Sequence, residues 1–487
     1  MYAGRGSRGS LLKCTKYEKI LALLFILTLP LINPWVRGDG VGYYAFARSM
    51  LIEHRLDFTK DWLAANSSFR MGRVDAGGHL LPDEYTITGH VDNHFSVGPA
   101  ILWSPFLIAA HAGVLLCDRL GGHIAADGFS RPYIVAMALG TALYGFLAVV
   151  ISFALARRYV SEKWALLASL GIWFGSSLPV YMYFNPSWSH AHSAFTVALF
   201  VWYWTITRNE RGLRQWAILG AIGGFMLDVY YLSAALLLLP LLESIAGYWN
   251  ARRRPGIERP RRLFFGNMLF AVALLVAFLP TLVTKRIIYG SYWKLGYEHL
   301  WVWNSPALLK VGFSADHGLF SWTPILAFAV VGLFFLWRRD RSLGIYSIGV
   351  FCALLYTIGC YADWDGISSF GNRFFISLTV LFILGLAAFF DRFAHAWQER
   401  RAAFLAWSGT AVLVLWNLGL IFQWGMHMIP ERGPVSWREA AYNQVSVVPA
   451  RATRAVGGYL THRKSMMEQI EQTDVNQIKS QETQGTE

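Results

Sequence analysis

Apolar residues along this chain come in long blocks separated by short stretches rich in Arg, Gly and Trp. The blocks are about 16 to 25 residues long, the length an α-helix needs to span hydrocarbon. They run roughly from Ile20 to Val36, Phe95 to Cys117, Pro132 to Ala156, Trp164 to Phe184, Ser193 to Thr207 and Trp216 to Trp249. After a basic stretch from Arg252 to Arg262, others follow near Leu263 to Thr284, Trp322 to Trp337, Leu343 to Cys360, Phe374 to Phe390 and Phe404 to Trp424. They lack the two-residue alternation of a membrane β-barrel, and a span in lipid must satisfy its own backbone polar groups. The pattern predicts an all-α, polytopic membrane protein of about 11 to 13 transmembrane helices.

Basic residues set the expected topology. Arg5, Arg8, Lys13, Lys16 and Lys19 place residues 1–19 in the cytoplasm, so the first span reads as an uncleaved signal anchor. Residues 37–94 then form a first extracytoplasmic loop of a module covering 20–424. Arg157-Arg158 with Lys163, Arg208 to Arg214, Arg252 to Arg262, Arg338 to Arg341 and Arg392 to Arg401 are the cytoplasmic loops. These agree with one another if Trp216 to Trp249 is two short helices broken near Asp228-Val229-Tyr230-Tyr231. A single crossing at Phe95 to Cys117 would put Arg157-Arg158 on the wrong side. The pattern therefore predicts a bent or re-entrant element around Pro99 and Pro105. Residues 425–487 read as an interfacial segment and a disordered tail, because Glu468 to Glu487 is rich in Gln, Glu and Thr with no apolar face.

Composition changes this picture little. The net charge of +13 lies at the ends of apolar blocks, as the positive-inside rule requires, and does not indicate nucleic acid. Cys14, Cys117, Cys352 and Cys360 show no paired spacing, so they read as packing residues. Walker A, GxSxG and HExxH motifs are all missing from the sequence.

The candidate chemistry collects on one face. Arg37-Gly38-Asp39-Gly40-Val41-Gly42-Tyr43-Tyr44 sets a carboxylate just past the first span, and ionisable groups near a bilayer tend to mark substrate paths or chemistry. Val41 to His54 has a stripe of Tyr43, Ala47, Met50, Leu51 and His54 that suits a helix lying at the interface, with Asp39 at its N-terminal edge. There Asp39 is either functional or a helix N-cap. Asp92 and His94 close the same loop, where an acid and an imidazole could serve a reacting centre or simply be solvated. His190 and His192 flank Ala191 in a loop, as phosphate or metal contacts or as hydrogen-bonded loop residues. His317 to Trp322, Asp363, Asp365 and Asn372-Arg373 mix polar groups with Trp at outer boundaries, as sugar sites and aromatic belts both do.

Taken together, Gly38-Asp39-Gly40 with Tyr43-Tyr44, Phe95-Ser96-Val97-Gly98-Pro99, Asn185-Pro186-Ser187 to His190, His317 to Pro324 and Ser369-Phe370-Gly371-Asn372-Arg373-Phe374 resemble the GT-C membrane glycosyltransferases. The likeness is to a bacterial branch related to protein mannosyltransferases and lipid A aminoarabinose transferases, over about Ile20 to Trp424. It implies a bacterial inner-membrane enzyme with its active site facing the periplasm or cell exterior. Such an enzyme takes a sugar from a polyprenyl-phosphate carrier and passes it to a glycan, lipid or protein acceptor, with Asp39 in the catalytic position. Arg37, Lys285, Arg286 and Arg373 are then the phosphate candidates. The Lys-like position of the family's second motif is filled by His94, and Asp39 lacks an adjacent acid, so the default is catalysis with no metal cofactor. A transporter or lipid-carrier flippase is the alternative; paired half-structures, the usual sign of one, are not visible. A catalytically silent envelope assembly protein would share the same hydropathy.

Overall fold

The computed structural model describes residues 15–208, 211–253, 258–297 and 300–484. Arg5, Arg8, Lys13, Cys14 and Arg254, used above, lie outside the described residues. Within them the chain is all-helical with no strand, and three isolated β-bridges pin loops. Among the described residues seven helices are long and apolar enough to cross a membrane: Gly98–Arg119, Arg131–Ala156, Tyr231–Arg253, Pro260–Ala277, Arg341–Gly359, Arg373–Ala396 and Glu399–Gly425. The chain is therefore a multi-pass membrane protein.

The first helix, α1 (Lys16–Thr28), begins at a capping box made by Thr15 and Glu18. A short connection leads to α2 (Asp39–Arg48). Next come α3 (Gly98–Arg119), α4 (Arg131–Ala156), α5 (Glu162–Gly175), α6 (His190–Thr207) and α7 (Leu213–Val229). The chain continues through α8 (Leu238–Arg253), α9 (Glu258–Ala277), α10 (Leu279–Tyr289), α11 (Ile325–Arg339), α12 (Arg341–Gly359), α13 (Thr379–Ala396) and α14 (Glu399–Gly425). The expected break in Trp216 to Trp249 occurs at Tyr230, whose extended backbone ends α7 before a 3₁₀ stretch, Tyr231–Leu237.

Small residues let the helices approach closely. In α7 a Cβ on Gly220 would lie 2.2 Å from the Phe270 carbonyl oxygen, and one on Gly224 would lie 2.1 Å from that of Leu274, so these glycines seat α7 on the backbone of α9. At the α11–α13 crossing a Cβ on Gly332 would fall 1.8 Å from the Gly385 carbonyl oxygen. Gly332→Ala is expected to cost about 1–3 kcal/mol by overpacking, read as a lower unfolding midpoint in detergent. Helix α13 and the 3₁₀ turn before it (Arg373–Leu378) form a central post, 94% buried in its most apolar window.

Ion pairs define the two ends of the bundle. At one end Arg157 pairs with Glu18 at 3.2 Å, Arg208 and Tyr159 both reach Asp340, Arg339 reaches Asp391, and Lys163 reaches Glu399. These contacts tie α1, α4, α5, α6, α11, α13 and α14 into one belt. Asp39 lies at the other end, with Trp188 against Gly38 and Arg373 against Asp39.

The region Phe95 to Cys117 is straighter than expected. Helix α3 is unbroken through Pro105, so the expected bend is absent. It starts beside Asn93, whose side chain donates to the Gly42 carbonyl, and it runs antiparallel to α4 through Trp103–Thr141 and His111–Tyr133. The loop that follows returns to α2, where Tyr44 donates to the Gly128 carbonyl at 2.7 Å and Arg48 covers Phe129. The segments before and after α3 thus both meet α2, and α4 carries the chain on to Arg157, which pairs with Glu18.

Two expectations about the loops are corrected. Helix α2 does not lie on a surface: Gly40 to Arg48 are all buried, because only Arg48 among them is charged and it is matched inside by Asp61 at 2.6 Å and by Glu53 at 2.9 Å. Of the segment after α14, the part ahead of Glu468 carries α15 (Trp437–Ser446) and α16 (Val448–Thr461), and Glu468 to Gln484, expected to be disordered, is helical within α17 (Arg463–Gln484). The segment docks through a few apolar contacts, with Ala440 buried, Trp437 against Trp322 and Tyr459 against Phe184, and through polar groups. Tyr459 donates to the Leu31 carbonyl at 2.8 Å, Arg463 donates to the carbonyls of Pro30 and Ile32, and Glu471 accepts from Asn66 and from the Ser68 amide.

Candidate functional site

The site starts with the two glycines around Asp39. Gly38 adopts φ +53, which costs other residues strain, and a Cβ there would stand 3.1 Å from the Trp188 ring. A Cβ on Gly40 would stand 1.9 Å from the Ser187 hydroxyl. The glycines therefore seat the first turn of α2 on the loop Asn185–Ser189 and leave the Asp39 side chain 36% exposed between them. Gly38, not Asp39, is the N-cap residue. The Asp39 carboxylate faces Arg373 with Oδ2 2.8 Å from Nη1.

Arg373 comes from the head of the central post and is about nine-tenths buried. Its guanidinium stacks on Trp188 at 4.3 Å, and Trp188 is fixed in turn by its indole N–H donating to the Arg37 carbonyl at 3.0 Å. Arg373 Nε has no hydrogen-bond partner. A buried cation with an unused donor, held beside a half-exposed carboxylate, is poised for a further anionic or hydroxylic group.

In front of the pair opens a cavity of about 530 Å³. Asp39, Arg373, Arg37, Asn185 and Trp188 line one side of it. Arg73, Glu431, Arg432, Asp474 and the turn Gly366-Ile367-Ser368 line the others. Ile367 is held at φ +60, a left-handed conformation costly for a β-branched residue. Such strain costs of order 1–3 kcal/mol and gathers at functional sites.

The other residues singled out in the sequence separate into groups. Tyr43 is buried against Phe95 at 4.7 Å, next to Asp39. Tyr44 points away from it, to Gly128. Asp92 is hydrogen-bonded by the Tyr289 hydroxyl and is not part of the cavity wall. His94 packs on Phe95 and Tyr297, and burial next to Lys285 holds its pKa below the usual imidazole value. Lys285 donates to the carbonyls of Asn93 and Phe95, both at 3.2 Å, and Arg286 donates to the Gly290 carbonyl, so neither basic residue faces Asp39.

His190 and His192 do not converge. They open α6 instead of sitting in a loop, and positions i and i+2 of a helix face different ways. His190 packs among Tyr181, Trp188 and Tyr230, whereas His192 sits between Trp103 and Tyr144. His317 stacks on Trp322 at 4.8 Å and reaches the Glu431 carbonyl at 3.1 Å, forming a pillar behind the cavity. Burial pushes its pKa down to about 4, so it stands neutral. Asn372 donates to the Trp364 carbonyl at 2.9 Å, and Asp365 caps the Ile367 amide at 3.1 Å; both shape the strained turn. Asp363 is half-buried on the approach to that turn, and its pKa is raised by burial and by Asp365.

No family model matches this chain, and no curated protein matches it. Function must be read from the site itself.

Sequence reasoning passed over Trp188, Arg73, Glu431, Arg432 and Asp474 as site residues. Trp188 stood inside a motif already singled out. Glu431-Arg432-Gly433-Pro434 follows the last span with the turn residues of a loop, a usable signal. Nothing local marks Asp474.

Among the described residues, His427, Glu431 and Asp474 bring donor atoms within 4.8 Å of one another, a spacing that could hold a metal ion. The group is also matched in charge: His427 Nε2 lies 2.9 Å from Asp474 and 3.3 Å from Glu431, and Arg37 lies 2.7 Å from the other Asp474 oxygen. Asp474 and Glu431 raise the His427 pKa to about 9. Its charged form therefore supports the docked tail fully below about pH 6.5, and that support is lost as pH rises through about 9. Hydrogen-exchange protection of α17, corrected for intrinsic rates, is expected to fall across that window, and to fall less in His427→Gln.

Proposed function

We propose that the protein is a membrane glycosyltransferase that moves a sugar from a polyprenyl-phosphate carrier to a hydroxyl-bearing acceptor. The observation that carries this reading is the Asp39–Arg373 pair at the mouth of the cavity, a carboxylate and a buried cation 2.8 Å apart. Glycosyl transfer from a phosphate separates charge: the anomeric carbon becomes cationic as phosphate leaves. A competent site needs a base near the acceptor and a cation near the departing oxygen.

On this reading the donor phosphate binds Arg373, with Arg37 on the same wall, and the sugar occupies the cavity. Asp39 takes the proton of the acceptor hydroxyl. That oxygen attacks the anomeric carbon from the face opposite the phosphate, the bond from the anomeric carbon to the phosphate oxygen breaks, and its electron pair leaves on the phosphate. The product is inverted. The ionic steps use only groups of this chain, so metal-free catalysis is the working assumption. The Gly366 to Ser368 turn supplies polar edges along the cavity wall, and Trp188 holds Arg373 in place behind them.

The reading also puts the Asp39 end of the bundle outside the plasma membrane, since the arginine-rich loops gather at the Glu18 end. In a chain with its native cysteines replaced, a cysteine at the exposed Ile87 is expected to react with an impermeant maleimide in intact cells. One at the exposed Trp397 is expected to react only after permeabilisation. The reverse pattern would overturn the orientation and with it the polyprenyl-carrier reading. Envelope glycan profiles of cells lacking the protein test the function: the expected result is loss of one sugar substituent while carrier-linked sugar accumulates. Unchanged glycans with altered uptake of a solute would point to transport instead.

A further inference from the structure

We propose that the C-terminal helix α17 is a displaceable cover, and that its Asp474 holds Arg37 as an internal anion until the phosphate of a lipid ligand takes its place. This rests on the reading of the cavity as a phosphate-lipid donor site. Three observations carry it. Asp474, Gln477 and Ile478 of α17 form part of the cavity wall together with Asp39 and Arg373. Asp474 Oδ2 lies 2.7 Å from Arg37 Nη2, one of two arginines on the Asp39 side of that wall, so the guanidinium nearest the helix is already engaged by a carboxylate.

The way α17 is attached is the third observation. Asp474 is the buried residue among its described side chains, with Met467, Ile470 and Ile478 half-buried along the same face, and its hydrogen-bonded anchors are Asp474 to Arg37 and His427, Glu471 to Asn66 and Ser68, and the Met467 sulfur to Asn33. The Arg37–Asp474 pair is largely enclosed, so Arg37 gives up the carboxylate only in exchange for another anion, and a phosphate offers the guanidinium more acceptor oxygens than a carboxylate does. The helix is therefore placed to leave when a stronger anion arrives, uncovering the cavity and freeing Arg37 in one movement.

Hydrogen–deuterium exchange on the full chain in detergent tests this, with farnesyl phosphate as the probe and farnesol as the control for the lipid tail. Farnesyl phosphate is expected to speed exchange of residues 463–484 in the wild type by at least about tenfold, the mark of a locally opened segment, while farnesol leaves it unchanged. Asp474→Asn is expected to show the faster exchange without ligand and to bind farnesyl phosphate more tightly than the wild type. The proposal is overturned if bound farnesyl phosphate leaves the helix protected, if farnesol releases it equally, or if Asp474→Asn keeps wild-type protection. Should the wild type bind no farnesyl phosphate, binding by Asp474→Asn alone supports an occluding cover, and binding by neither overturns it. Helix release without any sugar transfer would remove the glycosyltransferase reading and leave the cover; sugar transfer without helix release would do the opposite.

Discussion

Arg373→Ala protein is expected to bind a polyprenyl-phosphate sugar donor about 10- to 100-fold more weakly, the loss that follows when about 1.5–3 kcal/mol of charge-assisted hydrogen bonding to a phosphate is removed. The expectation follows from placement. Arg373 heads the buried central post, is braced flat on Trp188 at 4.3 Å and keeps Nε unpartnered, so little reorganisation is needed to receive an anion. Arg373→Lys separates charge from shape: lysine keeps the charge but has neither the planar stack nor the fork, and is expected to recover only part of the affinity. Isothermal titration with donor, at matched folded fraction, checks both. Wild-type affinity in Arg373→Ala would leave this residue as a positional anchor for Asp39 and the strained turn.

The larger effect is expected at Asp39. Asp39→Asn should lose about 100- to 10,000-fold in transfer rate, the usual range for removing a general base. The amide is nearly the same size, and its oxygen can still accept from the Arg373 guanidinium, so the variant keeps the contact that fills the site. An N-cap role would forecast little change, because Asn caps as well as Asp. The fold disfavours that alternative, since Gly38 occupies the cap position and the Asp39 carboxylate is turned to Arg373.

How much of this was legible beforehand differs from residue to residue. The span pattern foresaw an all-helical membrane chain and the break at Tyr230, because hydropathy and length reflect a constraint that acts locally in the bilayer; of the 11 to 13 transmembrane helices expected, seven among the described residues are long and apolar enough to cross. The meeting of the Asp39, Asn185 to Ser189 and Arg373 segments followed from counting basic loops, which sorts polar segments to one end without saying which atoms touch. That Asp39 meets Arg373 and not Lys285 or Arg286 depends on the central post and on the α10 backbone contacts, both long-range.

The burial of α2 is legible in the run Gly40 to Ala47, which carries no charge, whereas its stripe of apolar positions fits an interfacial helix equally well. His190 and His192 were misread through an element boundary, where a shift of a few residues turns a loop pair into diverging helix positions. The docking of α17 left no trace at all in the local pattern. Its polar anchors, Asp474, Glu471 and Arg463, look like solvated charges until partners more than 400 positions away, Arg37, Asn66 and the Ile32 carbonyl, are brought beside them.

The central claim is that the Asp39–Arg373 pair performs glycosyl transfer from a polyprenyl-phosphate donor, and reconstituted protein tests it most directly. Wild-type and Asp39→Asn protein at equal abundance in nanodiscs would be given membrane extracts containing carrier-linked sugars, with release of polyprenyl phosphate followed by mass spectrometry. The account predicts release coupled to a glycosylated acceptor in the wild type and at least about 100-fold less in Asp39→Asn. Equal turnover by the two proteins would contradict it.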